Sequence, residues 1–215
     1  MGRDSVSRES DKPKPDTTGL LNPIDFSKLA RKSGSMALAS RLERIRLLAL
    51  DVDGVLTDGT IIMGPDGEVC KAFFAKDGLG ISCALRCGLE VAVITGRSSP
   101  SALRRASELG IPHLLDSIKD KYAALSALRA RLGLKQEEVA FMGDDLNDLP
   151  AFRAAGFAFA PADATADVKA AADVVTACAG GRGAVREAVE KILQAQGKWQ
   201  SLVSGYRLAG QGDKQ

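Results

Sequence analysis

Histidine is almost missing from this chain: His113 is the single one among 215 residues. Catalysis through a histidine base and zinc held by imidazoles therefore have little to work with. Cysteine does not fill the gap. Cys70, Cys83, Cys87 and Cys178 form no CxxC pair, and Cys83 and Cys87, one helical turn apart, read as packing residues rather than a bridge or a ligand pair. No P-loop and no glycine-rich nucleotide fingerprint is present. No apolar run approaches membrane-spanning length and none near the start matches a signal peptide, which leads to the expectation of a reducing, cytoplasmic setting. Net charge is scarce as well. Lysine and arginine number 29 against 27 aspartates and glutamates, and ten basic against six acidic groups fall in the first 46 residues. The body is close to neutral and offers no reason to expect nucleic-acid binding.

What is present is an alternation of short apolar runs with helical patterns. Leu47-Leu48-Ala49-Leu50 reads as a central strand, its apolar character continuous because both faces of the sheet are covered. Two β-rich runs follow, residues 59–63 and 68–74, separated by Gly64-Pro65-Asp66-Gly67. That separator is a strong hairpin signal, and the hairpin's Ile61, Val69, Phe73 and Phe74 require cover from the domain or from another subunit. A helix is expected over 78–88 with Leu79, Cys83 and Leu85 on one face. Further strands are expected at 89–94, 111–115, 138–142, 157–160 and 174–175, with helices between them. The helix over about 118–132 carries Lys119 and Lys121 near its start. Alternation on this scale implies a doubly wound, Rossmann-like α/β fold with a parallel sheet and a β-hairpin insertion after the first strand. The polar first forty residues, with Lys12-Pro13-Lys14-Pro15, read as a disordered or loosely docked extension. The catalytic domain is expected over 41–197 and a tail with Trp199 and Tyr206 over 198–215.

Polar chemistry collects where strands end. Asp51-Val52-Asp53-Gly54 follows the first strand, Thr95-Gly96-Arg97 another, and Gly143-Asp144-Asp145-Leu146-Asn147-Asp148 a third. In a parallel sheet these ends share one edge, so residues far apart in the chain converge there. Asp51, Asp53 and Asp144 supply oxygen donors only, the set that suits Mg²⁺. Without a cation, that many carboxylates in one cleft raise each other's pKa. Thr95 can bond a phosphoryl oxygen, and Lys121 can add positive charge where negative charge gathers in phosphoryl transfer. With no P-loop, the phosphorus needs a side-chain nucleophile, and Asp51 is the candidate.

The order DxDGxxTDG, TGR, Lys and GDDxxD resembles the haloacid dehalogenase superfamily of phosphatases. The resemblance implies that Asp51 forms an aspartyl-phosphate and that Asp53 protonates the leaving oxygen and then activates water. It implies Mg²⁺ held by Asp51, by the backbone carbonyl of Asp53 and by Asp144, with Asp145 and Asp148 behind them and Asp148 orienting Lys121. Lys121 is preferred over Lys119 as the family's lysine. Residues 45–197 are similar, more specifically, to the 3-deoxy-D-manno-octulosonate 8-phosphate phosphatases, through the hairpin, KDGLGI at 76–81, DLPAF at 148–152 and GGRGAVRE at 180–187. That group has no cap domain, and the spacing from Asp53 to Thr95 leaves room only for a hairpin and one strand-helix step. Implied substrate contacts are Thr95, Gly96, Arg97, Lys121 and Lys76, the last standing where the group has arginine. Implied too is a homotetramer, with a neighbour's hairpin and tail enclosing each site, and a place in lipopolysaccharide biosynthesis. Other readings are a phosphatase for nonulosonate 9-phosphates and a non-catalytic tetramerising module of the same fold.

Overall fold

The structure, a computed structural model, describes residues 35–65 and 67–208. Helix α1 (Ser35–Glu43) leads into strand β1 (Leu47–Leu50), which ends at Asp51. A two-stranded antiparallel hairpin, β2 (Ile62–Gly64) and β3 (Gly67–Cys70), comes next and joins no other strand. Then follow α2 (Ala75–Arg86), β4 (Glu90–Ile94), α3 (Pro100–Glu108), β5 (His113–Leu115) and α4 (Lys121–Arg131). The second half comprises β6 (Val139–Met142), α5 (Leu149–Ala154), β7 (Phe157–Ala160), α6 (Ala166–Ala171), β8 (Val174–Val175), α7 (Ala184–Ala195) and α8 (Trp199–Leu208).

The main sheet has the order β5-β4-β1-β6-β7-β8, and every neighbouring pair is parallel. From β1 the chain winds outward through β4 to β5, then returns to β6 and winds out the other way. Strand β1 thus sits at the point where the winding reverses, the usual place for a ligand crevice. Leu48 and Leu50 enter one core with residues of α1, α2, α3 and α7, while Leu47 and Ala49 enter a second with residues of α4, α5 and α6. All four are completely buried, which is why this strand reads as an unbroken apolar run. The doubly wound parallel fold with its hairpin agrees with the expectation, and no cap domain is inserted among the described residues.

Some local expectations change. Helix α4 begins at Lys121 rather than near 118, because the Asp120 carboxylate accepts the Ala123 N–H at 3.0 Å and caps the helix there. The buried face of α2 is made of Asp77, Gly78, Gly80, Ile81, Cys83 and Ala84. Leu79 points away from it and is 45% exposed. Of the hairpin's apolar residues, Phe73 packs against the core, but Ile61 and Val69 stay exposed, as do Ile62 and Met63. The expected extension falls mostly outside the described residues. Its last residues, from Ser35, begin α1, which runs on into the expected domain and is anchored where Arg41 forks onto both oxygens of Asp173, each at 2.7 Å, and donates to Gly156 O. In the tail, α8 packs on its own chain, with Trp199 and Leu202 against the core and the Arg86 guanidinium donating to the Tyr206 hydroxyl at 2.9 Å. No helix among the described residues is long and apolar enough to cross a membrane.

Candidate active site

The turn after β1 is a tight knot built from its own sequence. Val52 O accepts from the backbone N–H groups of Val55, Leu56 and Thr57 at 3.0–3.3 Å. The Thr57 hydroxyl donates to Val52 O and accepts from Gly54 N and Gly59 N. Gly54 stands at φ +85°, and a Cβ there would fall 2.0 Å from Asp144 Oδ2. Only glycine lets the two motif loops come this close. From the other side Gly180 presses in, where a Cβ would lie 1.8 Å from Gly54 O, and Gly181 N donates to Val55 O at 2.9 Å. The GGRG segment thus braces the loop that carries Asp51.

Asp51 is buried, and its backbone N–H donates to Met142 O of the neighbouring strand. One carboxylate oxygen, Oδ1, meets the Lys121 ammonium at 2.9 Å. Lys121, 2% exposed, also donates to Asp148 Oδ1 at 2.6 Å, and Asp148 Oδ2 accepts the N–H groups of Asp144 and Asp145. Asp148 therefore ties Lys121 to the loop after β6. Lys119, its competitor in the sequence, is exposed.

Oxygens of Asp51, Asp144 and Asp148 all lie within 4.8 Å of one another. Burial, followed by the repulsion of Asp148, pushes the Asp51 carboxyl up to about 7 against the opposing pull of Lys121. Burial and then the repulsion of Asp148, Asp51 and Asp145 push Asp144 up to about 7 as well. Burial alone would lower the Lys121 pKa, but Asp51 and Asp148 outweigh it and raise it above the ordinary lysine value. Carboxylates held this close while resisting ionisation fit a hard cation that would relieve them, and the donor set is oxygen only.

Beside this cluster opens a cavity of about 220 Å³. Asp51, Asp53, Thr95, Gly96, Arg97, Asp144 and Asp145 of the sequence-predicted set line it, joined by Ile61 and Asn147. Thr95 is buried at the end of β4, where its N–H donates to Leu115 O. Lys121, buried behind Asp51, and Lys76 are not among the lining residues; Lys121 reaches the site through Asp51, whereas Lys76 does not. Lys76 is exposed near the start of α2, with its ammonium 5.9 Å from the Phe74 ring centroid. The Asp53 carboxylate also stands apart from the three-carboxylate cluster. Its Oδ1 is paired with the Lys71 ammonium, which meets Glu68 Oε2 at 2.8 Å as well. Sequence reasoning missed Lys71 and Glu68. The only signal available was a lysine and a glutamate in a hairpin, where charge is ordinary.

Residues 107–188 match the family described as haloacid dehalogenase-like hydrolase. The chain is 49% identical over 164 residues, 76% of its length and 87% of the relative's, to the 3-deoxy-D-manno-octulosonate 8-phosphate phosphatase KdsC of Escherichia coli strain K12. The corresponding enzyme of Moraxella catarrhalis, solved with a magnesium ion, a phosphate ion and a KDO molecule, superposes with a TM-score of 0.78 at 40% identity, covering 80% of this chain and 99% of that one. The cobalt-bound enzyme of Haemophilus influenzae gives 0.75 at 43% identity, covering 78% and 99%. By sequence, by fold and by the acidic cluster at the end of β1, this chain belongs to the haloacid dehalogenase-like hydrolases as a phosphatase of the 3-deoxy-D-manno-octulosonate 8-phosphate phosphatase group.

Proposed function

We propose that the protein hydrolyses 3-deoxy-D-manno-octulosonate 8-phosphate to the free sugar acid and inorganic phosphate, using Mg²⁺ and an aspartyl-phosphate intermediate. The observation that carries the reading is the buried Asp51–Lys121–Asp148 bridge within the three-carboxylate cluster, with Asp51 and Asp144 facing the cavity. Asp51 and Asp144, with the backbone carbonyl of Asp53, would hold the cation. When bound, Mg²⁺ supplies charge that offsets the phosphoryl group's and keeps the carboxylates ionised.

Asp51, held through Oδ1 by Lys121, attacks the phosphorus with its other oxygen. As the new bond forms, the bond from phosphorus to the sugar oxygen breaks. Its electron pair stays on that oxygen, which takes a proton from Asp53. A water molecule then attacks the phosphoryl group and gives its proton back to Asp53. The phosphorus–Asp51 bond breaks, restoring the carboxylate and releasing phosphate. Thr95 and Lys121 bind the phosphoryl oxygens throughout, and the Gly96-Arg97 segment meets the sugar acid, Arg97 toward its carboxylate. The relatives' substrate and the Moraxella catarrhalis complex support this choice of ester.

The same reading includes a homotetramer in which the exposed hairpin residues Ile61, Ile62, Met63 and Val69 meet a neighbour, and hairpin and tail enclose the adjoining cavity. It also places the enzyme in the cytoplasm, in the supply of sugar acid for lipopolysaccharide. Light scattering should return four times the 22.6 kDa chain mass, and a monomer would remove the shared enclosure. The decisive assay is phosphate release from a panel of sugar-acid phosphates with and without Mg²⁺. Preference for a nonulosonate 9-phosphate would overturn the substrate, and Mg²⁺-independent release the mechanism. Asp51→Asn should lower turnover by about 10⁴-fold or more, and full turnover in that variant would rule out the nucleophile.

A further inference from the structure

Lys71 presents a problem that the reaction above leaves unsolved. Its side chain is only 1% exposed, yet it belongs to the segment just after β3, whose neighbours Val69 and Cys70 are exposed. Burying an ammonium is costly unless acidic partners are held against it. What the ammonium does there is bridge. It holds Asp53 Oδ1 on one side and Glu68 Oε2 on the other. Glu68 is held in turn through Oε1 by the Ser99 hydroxyl, and Ser99 is the buried residue that caps α3 by accepting the Ala102 N–H at 3.3 Å. A chain of contacts therefore runs from Asp53, through the hairpin, to the helix that follows the Thr95-Gly96-Arg97 loop.

Only one Asp53 oxygen enters this chain. Among the described residues Oδ2 has no hydrogen-bond partner, and Asp53 lines the cavity. We propose that Lys71 is a positioning residue for the acid–base step: by holding Oδ1 it leaves Oδ2 as the oxygen that hands a proton to the departing sugar oxygen and later takes one from water. This rests on the phosphatase reading above. It makes the hairpin a part of the site of its own chain, in addition to any role at a neighbour.

The test compares two esters in the full-length enzyme with Mg²⁺. One is the sugar-acid phosphate, whose alkoxide leaving group needs a proton. The other is p-nitrophenyl phosphate, whose leaving oxygen does not. Lys71→Met should lower kcat/KM on the sugar ester by about 10²-fold, the scale of a misplaced general acid, and much less on the aryl ester. Lys71→Arg, which keeps a donor cation, should restore most of the loss. Equal losses on both esters, no loss on either, or no recovery with arginine would overturn the proposal. If Lys71→Met fails to fold, Glu68→Gln decides instead. It loosens the same bridge and should show the same bias between esters at smaller amplitude, and an unbiased change would overturn the proposal. A wild-type enzyme inactive on both esters would overturn the phosphatase reading itself, which is a different outcome.

Discussion

Two lysines flank the loop after β1, and each is clamped between two carboxylates. Lys121 lies between Asp51 and Asp148, whose side chains are 6% and 0% exposed. Lys71 lies between Asp53 and Glu68, at 20% and 8%. Their chemistry is alike, but their surroundings differ. The first bridge is built from the residue after β1, the turn that leads from β6 into α5 and the first residue of α4, with further acid nearby in Asp144. The second sets one lysine against its two acids and hangs from a hairpin outside the sheet. Three carboxylates with one lysine at the sheet edge make a place for a metal, whereas the two-acid bridge fixes the direction of a single carboxylate.

The difference can be broken most severely at Lys121. Lys121→Met leaves Asp51 and Asp148 facing each other in a buried site, so activity should fall by about 10³-fold and unfolding free energy by about 3 kcal/mol. Lys71→Met should cost less, because Asp53, one of the two acids it leaves unpaired, is 20% exposed and can be reached by water. Calorimetry on the two variants checks the ranking, and equal losses of stability would erase the distinction. A smaller effect is expected at Gly54→Ala. Its Cβ would meet Asp144 Oδ2, at a backbone φ of +85° that disfavours alanine. Asp144 must then move, and Mg²⁺ affinity measured by titration calorimetry should drop by about 10- to 100-fold.

Acidity should separate the two bridges by the sign of the effect. Asp51 and Asp144 are raised to about 7 by burial, so each carries more protons folded than unfolded over the range between. Their contribution to the metal-free protein is fully present below the unfolded value near about 4 and is lost as pH rises through about 7. Glu68 behaves oppositely. Burial would raise it, but Lys71 and Ser99 outweigh that and hold it below the ordinary glutamate value. Its contribution is present above the unfolded pKa and is lost as pH falls through the lowered folded one. The rise in melting temperature produced by Mg²⁺ should therefore grow from about pH 5 to about pH 8 in the wild type. Glu68→Gln should leave that trend unchanged while flattening the loss of stability at acid pH. A Mg²⁺ effect independent of pH would mean that the raised carboxyls are not the cation's ligands.

Much of the site was legible because its residues follow strands. Asp51 and Thr95 come directly after an apolar run and Asp144 one glycine later, and a parallel sheet puts all such positions on one edge whatever the loops do. Lys121 was legible through order and, with its partner Asp148, through the family resemblance, although its burial and its second partner Asp51 were not. Asp148 could be placed near the site, but not as the residue whose two oxygens separately bind Lys121 and two backbone amides. Leu79 shows how an apolar pattern misleads: on α2 the small residues Gly78, Gly80 and Ala84 face inward and the leucine does not. Periodicity reports which face is apolar, and cannot tell when close helix contact favours small side chains over large ones.

By itself, the sequence determined the parallel α/β layering, the ends of the strands and the identity of the acids at them, since each depends on short-range pattern and on rules of sheet winding. Tertiary structure alone decided where the hairpin leans. That tilt carries Lys71 and Glu68 onto Asp53 and Ser99, residues 18 and 31 positions away along the chain. No local preference encodes such a meeting, because an ammonium in a hairpin is equally content in water until the packed fold removes the water around it.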